Sequence, residues 1–281
     1  MNAEELRSWV GREQTLDDVA VSGPLDGLAA LLDHSQPPWL PSELPPLAHW
    51  LYFQPHAKQS ALDQDGHPRR GDFLPPVPLP RRMWVGSRII FQVPIPLGAD
   101  IHRRSTIASV SAKDGRTGPL VFVTVKHEVT VAQGVAIIEE QDIVYRAAMN
   151  RAGKTPEALP ATPVPERAAQ ARRRFVPDPT HLFRFSALTF NAHRIHYDRD
   201  YARDIEGYPG LVVQGPLVAI LLMDHYLRTV GPQRVREFSF RAGRPLFDTA
   251  PFDLCSAPGD GCTDMWAVVG GTTAFSASVW T

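Results

Sequence analysis

Between residues 88 and 146 the chain carries several apolar runs of strand length. "RIIFQVPI" (88–95), "STIASVSAK" (105–113), "LVFVTVKHEVTV" (120–131) and "VAIIEEQDIVYR" (135–146) read as strands. In the third of these, Val121, Val123 and Val125 fall on one face, the period-two signal of a sheet. Asp114-Gly115 supplies a tight turn before it, and a second short glycine-containing turn follows it. Upstream, "LDGLAALLDH" (25–34) and "PPLAHWLYF" (45–53) are apolar and helix-compatible, and "PRRGDFLPPVPLPRR" (68–82) is a proline-dense stretch expected on the surface.

The second half has a similar order. A polar and aromatic segment, 181–201, leads to "QGPLVAILLMDHYLRTVGP". This predicts a helix with Pro216 in its first turn, an apolar run from Leu217 to Met223, and Gly231-Pro232 as its stop. A helix apolar nearly all round is expected to be buried all round. Strands are then predicted over 235–241, 250–256, 265–271 and 273–280, with "PGDG" as a hairpin turn. Between the halves, 152–174 is rich in Pro and Ala and ends in charge, a composition that resists both helix and central strand. The expected division is an N-terminal domain over 1–150, a linker over 151–180 and a C-terminal domain over 181–281. One buried helix followed by antiparallel strands suggests a sheet wrapped around that helix. The shared plan suggests a diverged duplication, with no clear sequence repeat.

Composition changes this picture little. At 281 residues, with 43% hydrophobic and 21% charged residues, the chain suits two ordinary globular domains. A net charge of −1 offers no field to attract nucleic acid or an anionic membrane, so neither is an expected partner. No window is apolar enough to span a bilayer, and the acidic N-terminus lacks the pattern of a signal or transit peptide, so a soluble cytoplasmic protein is expected. The two cysteines, Cys255 and Cys262, form no disulfide framework and are expected to be reduced. Only four of the 29 basic residues are lysines; arginine forks suit phosphates and carboxylates, and base composition explains the bias equally well.

The candidate chemistry lies in "LTFNAHRIHYDRDY" (188–201), where Asn191 precedes His193 and His196. Three readings compete: a metal site, an acid–base site, or polar residues at the edge of a core. For metal, no third ligand stands at a recognised spacing, and none is expected. Histidine titrates close to neutral pH and suits proton exchange.

The longer stretch "SALTFNAHRIHYDRDYARDIEGYPGLVVQGPLVAILLM" resembles the active-site segment of MaoC-like hotdog hydratases, in particular the hydroxyacyl-thioester dehydratase type 2 branch. His196 matches the signature histidine and Gly215 the glycine that opens the central helix. Asn191 stands where the broad pattern has Asp, His193-Arg194 where it has Asn-Pro, and Gln214 where His is common. The two-part layout also resembles the branch's two-domain hydratases of 3-methylfumaryl-CoA (mesaconyl-C4-CoA). The resemblance implies an α+β double hotdog, each domain a curved antiparallel sheet around a central helix, with the chemistry in the C-terminal domain. It implies reversible hydration of an α,β-unsaturated acyl-CoA, most specifically 3-methylfumaryl-CoA to citramalyl-CoA, with no cofactor beyond the coenzyme A of the substrate.

In that reading His196, Asn191 and Gly215 are catalytic: a proton-transfer group, a residue that orients water, and a backbone N–H for the thioester oxygen. His193, Arg194, Arg184, Tyr208 and Gln214 would bind substrate, the two arginines through a carboxylate or the coenzyme phosphates. Two rivals stay open: a dehydratase of straight-chain acyl thioesters, and a non-catalytic acyl-thioester binder in which Asn191 marks lost chemistry. Homo-oligomers of such pseudo-dimeric chains are compatible with all three.

Overall fold

The computed structural model describes residues 3–115, 118–147 and 168–281. Their strands form one ten-stranded sheet in the order β1-β3-β4-β5-β2-β7-β10-β9-β8-β6. The first half supplies β1 (Glu13–Val19), α2 (Gly23–Leu31), β2 (Arg81–Phe91), β3 (Asp100–Gly115), β4 (Gly118–Val131) and β5 (Gly134–Arg146), after a short α1 (Ala3–Arg7). The second supplies β6 (Ala171–Phe175), α3 (Pro179–Leu188), α4 (Gly215–Val230), β7 (Glu237–Ala242), β8 (Phe252–Pro258), β9 (Thr263–Val269) and β10 (Thr272–Trp280). Numbered within each half, both sheets run first-third-fourth-fifth-second, so the shared plan is a shared topology. This is the double hotdog expected from the resemblance.

The halves join where β2 pairs antiparallel with β7, from Gly86↔Arg241 to Ile90↔Glu237. Each half thus closes the open edge of the other. The core is shared too: one apolar cluster takes in Leu25, Leu28 and Leu31 of α2, the whole inner run of α4, and Phe238 and Phe240 of β7. Pro24 opens α2 and Pro216 opens α4, each where a missing N–H costs nothing. Every residue of α4 from Leu217 to Leu227 is buried, the apolar run to Met223 as predicted and, beyond it, Asp224 and His225 as well. A second cluster lies farther along the same face of the first sheet and contains Val121, Val123 and Val125.

Buried charges tie the halves together. Asp224 of α4 meets His34 at 2.6 Å, Arg173 at 2.7 Å and Arg228 at 2.9 Å, and Arg228 also donates to the Leu32 carbonyl. Burial alone would raise the pKa of Glu139, but hydrogen bonds from His49 and Ser87 with the nearby imidazoles bring it down to about 2.

Several expectations are corrected. The stretch 151–180 read as linker includes β6 and the start of α3; its residues 151–167 lie outside the described residues. β6 is an edge strand, where a charged "ARRRF" sequence is tolerated because one face stays open. The polar–aromatic segment at 181 begins inside α3, which is capped by Asp178 accepting from the Thr180 and His181 amides. The strand predicted over 88–95 ends at Phe91 and starts at Arg81, seven residues earlier than expected.

The proline-dense stretch is only in part a surface excursion: Arg69, Gly71, Asp72, Pro78 and Pro80 are exposed, but the segment is anchored. Val77 is buried, and the Arg70 guanidinium donates to the carbonyls of Val77, Leu79 and Pro80. Prolines supply acceptors without donors, and this one side chain satisfies several of them. Among the described residues no helix is long and apolar enough to cross a membrane.

Candidate active site

A cavity of about 360 Å³ opens at the N-terminus of α4, lined by both halves of the chain. His196 forms its floor. A one-turn 3₁₀ segment (Arg194–His196) buries this imidazole, and its Nδ1 lies 2.7 Å from the Val212 carbonyl oxygen. A carbonyl can only accept, so Nδ1 carries the proton and Nε2 is left as the basic lone pair. Burial lowers the pKa of His196 to about 4, partly offset by that hydrogen bond, so the ring is neutral at neutral pH. Val212 is held in turn, its N–H donating to the Ile195 carbonyl at 2.9 Å.

Asn191 follows Phe190, which takes up a left-handed φ of 49°, and so leaves α3 on a sharp turn. Its Oδ1 accepts from the His193 backbone N–H at 3.0 Å, which orients the amide and leaves its NH₂ to donate into the cavity. The ring of His193 stands perpendicular to that of His196, centroids 5.2 Å apart. Gln214 donates from Nε2 to the Leu182 carbonyl and to Ser186, while its buried Oε1 has no partner among the described residues. A buried acceptor without a donor is costly, and here it borders the cavity, where a ligand can supply one.

Gly215 begins α4, where first-turn N–H groups lack intrahelical acceptors and the helix dipole is positive. A Cβ added there would meet only the Trp84 carbonyl at 3.7 Å, so packing within the chain does not require glycine. Tyr208 also lines the cavity, against Phe247 and beneath the Arg81 guanidinium. Its neighbour Gly210 is required by packing, since a Cβ there would lie 2.5 Å from Asp248 Oδ1.

Asn191, His193, His196, Tyr208, Gln214 and Gly215 therefore share one cavity, whereas the two arginines expected beside them do not reach it. Arg184 is exposed on α3 and points toward the Ala30 carbonyl at 3.4 Å. Arg194 is engaged with Asp198, with the Gln64 carbonyl and with the face of Tyr201, 4.1 Å below it. Closeness in sequence did not bring them in, because Arg184 lies on the exposed face of α3 and the Arg194 side chain turns to Asp198 and Tyr201.

The cavity's basic residues are Arg82, Arg146 and Arg244 instead. The N-terminal half also contributes His67, whose ring lies 4.0 Å from that of His193 and whose Nδ1 meets Asp65 Oδ2 at 3.0 Å. The loop carrying it is pressed onto the motif: the Asp65 carbonyl accepts from the Arg194 N–H, and a Cβ on Gly66 would sit 1.9 Å from the Ala192 oxygen. No spacing rule could link Asp65-x-His67 to His193 some 126 residues away, and its only advance signal was an Asp-x-His pair beside a glycine.

Asp65, His67 and His193 place one potential ligand atom each within 4.8 Å of one another. Two of the three come from outside the motif, and His196 is not among them. These donors suit a divalent cation, but His67 is desolvated and lies in the field of the Arg82 guanidinium, which together lower its pKa to about 4. A fixed positive charge whose field reaches His67 opposes a second cation there.

A family model for hydroxyacyl-thioester dehydratase type 2 matches residues 47–248. The chain is 48% identical, over 99% of both sequences, to the mesaconyl-C(4)-CoA hydratase of Chloroflexus aurantiacus. Among solved structures, a MaoC-like dehydratase superposes with a TM-score of 0.72 at 13% identity, covering 97% of this chain and 98% of the other. A Mycobacterium tuberculosis protein described as a double hotdog fold gives 0.59 at 13% identity, covering 96% and 95%.

Proposed function

Because the chain belongs to the hydroxyacyl-thioester dehydratase type 2 family, we propose that it reversibly hydrates an enoyl-CoA in this cavity, and that the substrate is mesaconyl-C4-CoA, giving citramalyl-CoA. The observation that carries the reaction is His196: a neutral imidazole with Nδ1 committed to a carbonyl, facing a cavity at a helix N-terminus. Full-length identity to the Chloroflexus hydratase carries the choice of substrate.

In the hydration direction the thioester oxygen lies at the start of α4, where the Gly215 N–H and the helix dipole stabilise the negative charge that develops on it. The Asn191 NH₂ holds a water, and His196 Nε2 takes a proton from it as its oxygen bonds to the β-carbon. The double-bond electrons move toward the thioester, and the imidazolium returns a proton to the α-carbon. The net change is addition of one water, and the imidazole ends neutral. An asparagine at position 191 is no obstacle in this scheme, because a single histidine both takes and gives the proton. The scheme needs no redox cofactor, and Arg82 argues against a resident metal among Asp65, His67 and His193.

The deciding measurement is a substrate panel followed at the enoyl-thioester absorbance. Mesaconyl-C4-CoA should show a higher kcat/KM than crotonyl-CoA, and activity should survive dialysis against a chelator. Equal or better turnover of straight-chain enoyl thioesters would promote the dehydratase of straight-chain acyl groups. Acyl-CoA binding without turnover of any enoyl thioester would leave only a binding protein.

A further inference from the structure

Arg82 occupies an unusual position for a guanidinium. It lies on β2, in the half of the chain that lacks the signature motif, and lines the same cavity as His196 and Asn191. Arg81 beside it forms an ion pair with Glu206 at 2.9 Å, but among the described residues no carboxylate lies within 4.0 Å of Arg82. Its neighbours are the Tyr145 hydroxyl, the Arg70 guanidinium, and Asp65, which is already hydrogen-bonded to His67. Desolvation pulls the Arg82 pKa below its ordinary value, with a positive neighbour adding to the strain. A half-buried cation with no carboxylate beside it, lining a cavity, is placed to meet an anion that enters there.

Of the other two arginines of the cavity, Arg244 is exposed, and Arg146, half-buried like Arg82, ends β5 with its charge acting on Tyr208. The exposed Arg244 suits the phosphates of coenzyme A, whereas the Arg82 charge acts on His67 and His193. In mesaconyl-C4-CoA the β-carbon, where water adds, also carries the free carboxylate. An anion on that carbon must lie next to the group that activates water.

We propose that Arg82 is the receptor for a carboxylate on the β-carbon of the acyl group, so that the N-terminal half selects dicarboxylic enoyl thioesters while the C-terminal half supplies the chemistry. This rests on the hydratase reading above. It replaces Arg184 and Arg194 with a residue 114 positions before His196, on the strand that joins the two sheets. A bidentate guanidinium–carboxylate pair would also hold the acyl group in one orientation over Nε2.

The test compares kcat/KM for mesaconyl-C4-CoA and crotonyl-CoA in the wild type, Arg82→Gln and Arg82→Lys. In Arg82→Gln the ratio of the two values should fall roughly a hundredfold, because one partner of a desolvated charge pair is lost. Retained crotonyl-CoA turnover then reports an assembled site. Arg82→Lys keeps the charge without the fork and should lower the ratio by roughly tenfold; it answers the question alone if the glutamine variant does not fold. A wild type that prefers mesaconyl-C4-CoA, with variants that lose both substrates equally or lose neither, overturns the assignment and leaves the proposed function standing. A wild type with no preference for the carboxylated substrate overturns the choice of substrate as well.

Discussion

At the scale of single residues, the proton carried by His196 Nδ1 decides what the ring can do. The Val212 carbonyl holds that proton, so Nε2 is the base and the pair works as an orienting contact. His196→Ala should retain the fold and lose at least about a hundredfold in turnover, the lower range of general acid–base catalysis. His193→Ala should cost less, since its amide rather than its ring meets Asn191. A dead His193 variant beside a mildly impaired His196 variant would reverse the assignment. The working form of His196 is unprotonated and its pKa is lowered to about 4. The kcat/KM profile should therefore stay flat from neutral pH to about 5 and fall as pH drops through 4, if His196 titrates alone.

Gly215 separates folding from catalysis. A methyl group at this position has room beside the Trp84 carbonyl, so Gly215→Ala should leave the melting temperature unchanged or slightly higher. The same methyl would project toward the place of the thioester oxygen and should lower turnover by at least about tenfold. Unimpaired turnover in that variant would remove the α4 N-terminus from the mechanism.

Among the elements, the loop carrying Asp65 and His67 is the one that the motif itself does not predict. Gly66 has a φ of 89°, and the Ala192 carbonyl occupies the space of its Cβ. An alanine there meets both left-handed strain and a backbone clash, so the loop must move. Gly66→Ala should destabilise the protein by about 1–3 kcal/mol, the usual range for strain of this kind. It should also lower kcat, because the His67 ring that packs on His193 moves with the loop. Thermal melts and steady-state rates on the same preparation would check both. A loss of stability with normal kcat would make this loop scaffolding alone.

On the scale of the whole molecule, joining β2 to β7 makes the second half incomplete by itself. Expressed alone, residues 168–281 would expose the β7 edge and lose the His67 and Arg82 wall of the cavity. That fragment should self-associate or precipitate and show no hydratase activity. A soluble, active monomer would refute the shared site. Acid should act on the whole molecule as well. Burial lowers the pKa values of His67, His193 and His196, two of them to about 4. Each contributes stability that is fully present above the ordinary histidine pKa of about 6.5 and is lost as pH falls toward 4, where the folded form must also take up protons. The melting temperature should drop across that window, and the slope should be shallower in His196→Gln.

Local order was legible in the sequence wherever burial imposes a period. The alternation Val121-Val123-Val125 and the apolar run of α4 each carry their environment in the residues themselves, because one face or every face must leave water. The motif from Asn191 to Gly215 was legible for a related reason: its residues lie on one continuous stretch, and the fold keeps six of the seven residues named from it in one cavity. β1 and β6 were not legible, since edge strands with charged sequences need no apolar alternation. Nor could the sequence decide which arginines face the substrate. Arg194 is near His196 along the chain and turned away to Asp198, whereas Arg82 is distant along the chain and lines the same cavity. That choice depends on the β2–β7 pairing and on where the proline-rich segment folds back, contacts between residues more than a hundred positions apart. Such contacts leave no periodic trace in one chain, so only the tertiary structure brings the cation, the histidines and the helix N-terminus together.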